Sequence, residues 1–215
     1  MPSLAEVAQE ASTCTKCALW QGRTNVVFGV GDPTSDLMLV GEGPGAQEDL
    51  QGEPFVGRSG KLLDQLVQEE LGVTRRDVYI ANTVKCRPPG NRDPLPEEIA
   101  SCRPYLEAQL DIVDPKVVVT LGNFATKLLL KTNEGINRVR GRAYPFRRGY
   151  LVPTYHPAAV LRSGGESVAR MRADLVRAKQ LLKGVASEES SRRAPSEATT
   201  LFGGDPGGGA PRRLA

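Results

Sequence analysis

"LMLVGEGPGAQEDLQGEPFVGRSG", residues 37–60, decides how the whole chain is read. Its first four residues are apolar without alternation, which suits a strand covered on both faces. Gly41, Gly43 and Gly45 then break the strand, and Pro44, Gly52 and Pro54 hold off the next helix until about Ser59. The unit is a buried strand, a long glycine-rich loop and a helix over residues 59–72.

The same alternation continues on the C-terminal side. "DVYIAN" (77–82), "KVVVTLG" (116–122) and "YLVPTYHP" (150–157) read as strands. "PEEIASCRPYLEAQLDIV" (96–113), "NFATKLLLK" (123–131) and "GESVARMRADLVRAKQLLKG" (165–184) read as helices, the last with Val168, Met171, Leu175 and Leu182 on one face. Apolar strands separated by helices predict a three-layer α/β/α sandwich around a central, mainly parallel four-stranded sheet. Ligands in such sheets sit at the carboxyl ends of the strands. The informative loops therefore follow Val40, Ile80, Leu121 and Val152.

With 215 residues, 40% of them hydrophobic, the chain has material for one substantial core, assigned to residues 1–184. Residues 185–215 are rich in Ser, Gly, Pro and paired charges and predict a disordered tail. That tail carries four acids and four arginines, so the net charge of +3 belongs to the folded part, a balance compatible with nucleic-acid binding. No apolar run approaches the roughly 20 residues of a membrane span, and "MPSLAEVAQEAS" lacks the features of a signal peptide. The expectation is a cytoplasmic monomer.

In a reducing compartment, four cysteines point to a metal site, a redox pair or ordinary core thiols before disulfides. Cys14 and Cys17 form C-x-x-C, while Cys86 and Cys102 lie far downstream and 15 residues apart in the intervening chain. The second pair lacks the knuckle spacing of a zinc ribbon. The first precedes any strand, unlike a thioredoxin-type pair. Thiolates drawn from separated segments suit an iron–sulfur cluster, and unlinked thiols remain the alternative.

Gly41, Gly43 and Ala46 formally satisfy a dinucleotide fingerprint, but the delayed helix places no helix N-terminus at the loop. Glu42, Glu48, Asp49 and Glu53 would also repel a phosphate. "GRSGKLL" lacks the first glycine and the Ser or Thr of a phosphate loop. A flexible backbone, carboxylates and one aromatic, Phe55, suit a flat, neutral, hydrogen-bonding ligand such as a nucleobase.

At this point the residues resemble a known family. "GEGPG" after the first strand, "IANTVKCRPPGNR" after the second, "HPAAVLR" after the last and the four cysteines are similar to the family 4, iron–sulfur type of uracil-DNA glycosylase, over residues 1–183. The resemblance implies that Cys14, Cys17, Cys86 and Cys102 ligate a [4Fe-4S] cluster. It further implies that Gly41 to Gly45, Gly43 among them, form the first catalytic motif, that Phe55 stacks on uracil, that Asn82 reads the base edge, and that His156 belongs to the last motif. Its fold and activity would be those of an enzyme that flips deoxyuridine from DNA and hydrolyses the N-glycosidic bond in base excision repair. A related glycosylase of broader base specificity and a non-hydrolytic iron–sulfur electron carrier are the competing readings.

Chemistry supports these roles. Flipping a base costs a few kcal/mol, which stacking and edge hydrogen bonds offset. The Asn82 amide matches uracil O4 and N3–H, whereas cytosine presents the opposite polarity. His156 suits hydrogen bonding to uracil O2 as negative charge builds there. Related families carry a catalytic Asp at the position of Gly43, so Glu42, and after it Glu48, is the candidate for positioning water.

Each residue also has an ordinary reading: a structural histidine, a core phenylalanine, a strand-ending asparagine, solvated acids. What favours chemistry is convergence on one sheet edge. Arg138, Arg140, Arg142, Arg147 and Arg148 form either a solvated basic hairpin or a phosphate-contacting strip, with Arg142 the chosen DNA contact. After His156, Val160 or Leu161 is expected to wedge into the vacated base stack and Arg162 to touch phosphate. In the tail, Leu201 and Phe202 faintly resemble the peptides with which repair proteins dock on the sliding clamp.

Overall fold

The computed structural model describes residues 2–193. Six strands form one sheet in the order β1-β3-β2-β4-β6-β5. They are β1 (Val30–Gly31), β2 (Leu37–Gly41), β3 (Tyr79–Asn82), β4 (Val117–Leu121), β5 (Tyr144–Phe146) and β6 (Gly149–Thr154). The inner four are parallel, in the register Leu39↔Ile80, Leu39↔Val119 and Val119↔Val152. They are the four predicted strands, and the three-layer architecture holds.

The expected four-stranded sheet is corrected to six by antiparallel additions at both edges. Two and three residues long, β1 and β5 are too short to show as apolar runs. Tertiary packing makes the first: Gly31 lies so close to β3 that a Cβ would stand 1.8 Å from the Val78 carbonyl oxygen. The second pairs with β6 through a hairpin turned at Arg147, φ +50°.

Period-two alternation sends β2 side chains to opposite cores. Leu37 and Leu39 pack with Leu63, Leu66, Met171 and Leu175 from α3 (Arg58–Leu71) and α8 (Gly165–Arg193). Met38 and Val40 pack with Leu106, Leu110 and Ala125 from α4 (Pro96–Val113) and α5 (Asn123–Leu130). A third, smaller cluster joins Val7 and Ala11 of α1 (Leu4–Ser12) to Leu19, Val84, Tyr105, Cys86 and Cys102. No described helix is long and apolar enough to cross a membrane.

The helix α8 runs on to Arg193, past Gly184 where the sequence reading ends the folded part. The rest of the expected tail, including Leu201 and Phe202, lies outside the described residues.

Candidate active site

Four loops meet at the carboxyl edge of the parallel strands and enclose a cavity of about 570 Å³. The loop after β2 carries Gly41 to Gly45 straight into α2 (Ala46–Gln51), which corrects the expectation that no helix begins before about Ser59: Gly45 serves as N-cap and Gly52 ends this short helix ahead of α3. The loop after β3 follows Asn82. His156 caps α7 (Pro157–Ser163) after β6, while Gly122 stands between β4 and α5. Glu42, Phe55, Asn82, His156 and Arg162 all line this cavity, so the structure brings together residues spread over 121 positions of the sequence, 42 to 162.

Gly41 brings the strand end against two site residues. A Cβ there would lie 2.5 Å from both Asn82 Oδ1 and Phe55 Cζ. At Gly43 a Cβ would meet the Val84 side chain at 2.7 Å. The glycine loop is stitched to the neighbouring one, Thr83 N–H donating to the Gly41 carbonyl at 2.9 Å and Val84 N–H to that of Glu42 at 3.1 Å.

The two candidate carboxylates differ sharply. Glu48 accepts from the backbone N–H groups of Gly45 (3.1 Å), Val56 (3.0 Å) and Gly57 (2.9 Å), binding the two ends of the loop around Phe55. Glu42 lines the cavity, and burial, aided by the charge of Asp93, pushes its carboxyl up to about 7. Asp49 is structural as well, accepting from Thr24 N–H at 2.9 Å.

Phe55 is a non-glycine residue in the left-handed region, φ +54°, and it is buried. Such a conformation persists only where the surroundings over-determine it. Arg75 supplies that constraint. Its guanidinium donates to the Pro54 carbonyl (2.7 Å) and the Phe55 carbonyl (3.2 Å) and pairs with Asp64 at 3.2 Å. Gly60 completes it, because a Cβ there would stand 1.7 Å from the Phe55 carbonyl oxygen. The Phe55 ring lies 5.8 Å from that of His156, tilted by 34°.

His156 Nδ1 accepts from Ala158 N–H at 3.2 Å, so a neutral imidazole carries its proton on Nε2. Burial, reinforced by the Arg162 charge, depresses its pKa to about 4 and holds it neutral. Gly122, φ +92°, backs the ring: a Cβ there would come 3.0 Å from that of His156.

Asn82 is buried, and its Oδ1 is the buried side-chain polar atom without a hydrogen-bond partner among the described residues. Such an atom costs about 1–3 kcal/mol unless a ligand donor reaches it.

On α7, between the cavity-lining Ala159 and Arg162, Leu161 is 49% exposed whereas Val160 is buried in the core. The basic strip is mostly paired: Arg138 with Glu134, Arg140 with Asp174, Arg147 with Asp111 and Arg148 with Asp114. Arg142 is exposed and stands apart from the cavity lining.

Sequence reasoning misses Arg75, Gly60, Gly122 and Asp93. Nothing distinguishes Arg75 from its neighbour Arg76 along the chain; only the fold brings it under Phe55.

A second, smaller pocket is lined by Cys14, Cys17, Cys86 and Cys102, all free of disulfides. Three cationic residues line it, Lys16, Arg23 and Lys85. Arg23 donates to Cys86 Sγ at 3.4 Å and to the Cys14 carbonyl at 2.7 Å, and Lys85 donates its backbone N–H to Cys102 Sγ at 3.2 Å. Burial raises the thiols of Cys17, Cys86 and Cys102, the last to about 11. No group of three or more His, Cys, Asp or Glu among the described residues is arranged to hold a metal ion.

Comparison with known proteins places the chain. The family model for the uracil DNA glycosylase superfamily matches residues 28–180. The type-4 uracil-DNA glycosylase of Sulfurisphaera tokodaii is 50% identical over 169 residues, covering 75% of this chain and 77% of the relative. That of Saccharolobus solfataricus is 47% identical over 169 residues, 75% and 78% of the two chains. That of Thermotoga maritima is 43% identical over 180 residues, 82% and 93%. The chain belongs to the uracil-DNA glycosylase superfamily and, within it, is related to the type-4 enzymes.

Proposed function

We propose that this chain excises uracil from DNA, hydrolysing the N-glycosidic bond of a flipped deoxyuridine and leaving an abasic site. The observation that carries the reading is the unpartnered Asn82 Oδ1 beside the Phe55 ring. Uracil N3–H is the donor that this acceptor lacks, and O4 takes the amide N–H in return. Cytosine presents an acceptor at N3 and would leave Asn82 Oδ1 unsatisfied.

Bond cleavage pushes electrons from C1′–N1 onto uracil N1 and O2. The neutral His156, its Nε2–H free to donate, stabilises the developing oxyanion without first surrendering a proton. Water attacks C1′ and passes its proton to Glu42, whose raised pKa of about 7 suits a general base near neutrality. Glu42, which Gly43 leaves without the Asp neighbour of related families, takes the water role; Glu48 holds the loop. Phe55 stacks on the base face. Leu161 fills the vacated stack, and Arg162 and Arg142 contact flanking phosphates of single- or double-stranded DNA.

Cys14, Cys17, Cys86 and Cys102 would hold a [4Fe-4S] cluster. What supports this reading is that all four thiols line one pocket, with Arg23 and Lys85 beside them, available as counter-charges to an anionic centre. Bound as thiolates, Cys14 and Cys17 of the N-terminal segment, Cys86 of the loop after β3 and Cys102 of α4 would be tied together by it. We place the protein in the cytoplasm as a monomer; Leu201 and Phe202 as a clamp-docking peptide rest on sequence alone.

The test is release of base from labelled oligonucleotides carrying uracil, hypoxanthine, thymine or cytosine. Uracil release, lost by at least about tenfold in Asn82→Asp, is expected. Intact uracil DNA in the presence of folded protein overturns the proposal.

A further inference from the structure

Lys85 is anomalous. It is one of the largest fully buried side chains in the protein, and no carboxylate pairs with it among the described residues. Its ammonium donates to the Asn82 carbonyl at 2.7 Å and to Gln109 Oε1 at 2.5 Å, and lies 5.7 Å from the centre of the Phe28 ring. Gln109 is fixed in turn, donating to the Phe28 carbonyl at 2.8 Å and the Tyr79 hydroxyl at 3.1 Å. Neutral acceptors only partly offset the burial of a cation, and an opposite charge nearby would offset it further.

The adjacent thiol pocket is where a negative charge would arise if its cysteines bound a metal centre as thiolates. Lys85 lines that pocket with all four cysteines, precedes Cys86, and gives its own N–H to Cys102. On its other side it grips the main chain of the residue whose Oδ1 awaits the base. We infer that Lys85 is a positioning residue that couples the two sites: counter-charge to the anionic thiolate centre on one side, strut for the base-reading Asn82 on the other. This rests on the function proposed above. It follows that filling the thiol pocket orders the uracil site through one side chain and that no electron need pass between them.

The experiment compares the full chain with Lys85→Met, which keeps the length of the side chain and removes its charge and donors. Under EDTA in air, the visible absorbance of the cluster is expected to bleach about 10- to 100-fold more readily in the variant. Uracil release is expected to fall by about 10- to 100-fold in kcat/KM, the loss disappearing in an Asn82→Ala background. Unchanged bleaching, or an excision loss that adds in full to that of Asn82→Ala, overturns the inference. If Lys85→Met does not fold, Gln109→Met removes one acceptor and leaves the charge. Its excision loss should then vanish in the Asn82→Ala background, and an additive loss again overturns the coupling. Absence of uracil release in the unaltered chain would sink the proposed function alone, since bleaching still reads Lys85.

Discussion

The base cavity and the thiol pocket lie at the two ends of one short stretch, Asn82 to Cys86, and they are incomplete in opposite ways. The cavity holds an acceptor that lacks a donor, Asn82 Oδ1, beside a carboxyl that burial keeps near neutrality. The pocket is lined by Lys85 and Arg23, for which no carboxylate partner stands among the described residues. A hydrogen-bond vacancy is satisfied by a neutral ligand that comes and goes; a charge vacancy demands a permanent partner. The first suits the turnover site, and the second the resident centre, proposed above.

The largest effect should come from Glu42, the cavity-lining carboxyl that burial holds near a pKa of 7. Glu42→Gln is expected to cut kcat/KM by about 10²–10⁴. In the unaltered protein, kcat/KM should climb with pH through about 7 and then level, because the base acts only when deprotonated. Stability should run the other way. A carboxyl raised above its unfolded value contributes stability at low pH and loses it as pH passes the folded value. Glu42→Gln should accordingly raise Tm by about 2–4 °C at pH 8 and change little at pH 4. An unshifted pH–rate profile in the variant would remove Glu42 from the water step.

His156→Ala is expected to lose about 10²–10³ in kcat. With its pKa near 4, His156 should add no limb to the profile above about pH 5. A second limb near 6.5 would mean that the imidazole works as a cation.

Arg75→Met releases the Pro54 and Phe55 carbonyls and should cost about tenfold in kcat/KM. In a Phe55→Ala background the same change should cost nothing further, because Arg75 acts through the ring. A full additional loss would make Arg75 merely structural.

Glu48→Ala leaves three backbone N–H groups without an acceptor, each worth about 1–3 kcal/mol. Melting should drop by about 2–4 °C for each kcal/mol lost. A loss of catalysis with unchanged Tm would instead return Glu48 to the chemistry.

The smallest effects are expected at the DNA surface. Arg162→Ala and Arg142→Ala should each lower the salt slope of binding by about one, with little change in kcat. A slope unaffected by Arg142→Ala would confine phosphate contact to the cavity mouth.

Much of this was legible in the chain. Leu37–Val40, Val78–Ala81, Val117–Leu121 and Leu151–Val152 are apolar because parallel strands are covered on both faces, so their composition betrays them. Glycines at 41, 43 and 45 sit where side chains would collide, and histidine, asparagine and cysteine carry their chemistry in their type. The edge strands were hidden because short strands are made by their neighbours. The five arginines of residues 138–148 looked equivalent because an ion pair is invisible until its carboxylate arrives from elsewhere in the chain, as Asp174 does for Arg140.

Sequence by itself determined the layered α/β fold, the loops that bear function and the residue types available there, since periodicity and composition answer to local solvation. Tertiary structure alone decided their division of labour. Glu42 and Glu48 are six residues apart, yet Glu42, on the glycine loop, faces the cavity, while Glu48, in the first turn of α2, is bound by three backbone amides from Gly45, Val56 and Gly57. Lys85 and Arg75 are ordinary cations in the chain, and only long-range packing buries the first between two sites and sets the second beneath Phe55. Charge, burial and partner are properties of a place, and the place exists only once distant segments have met.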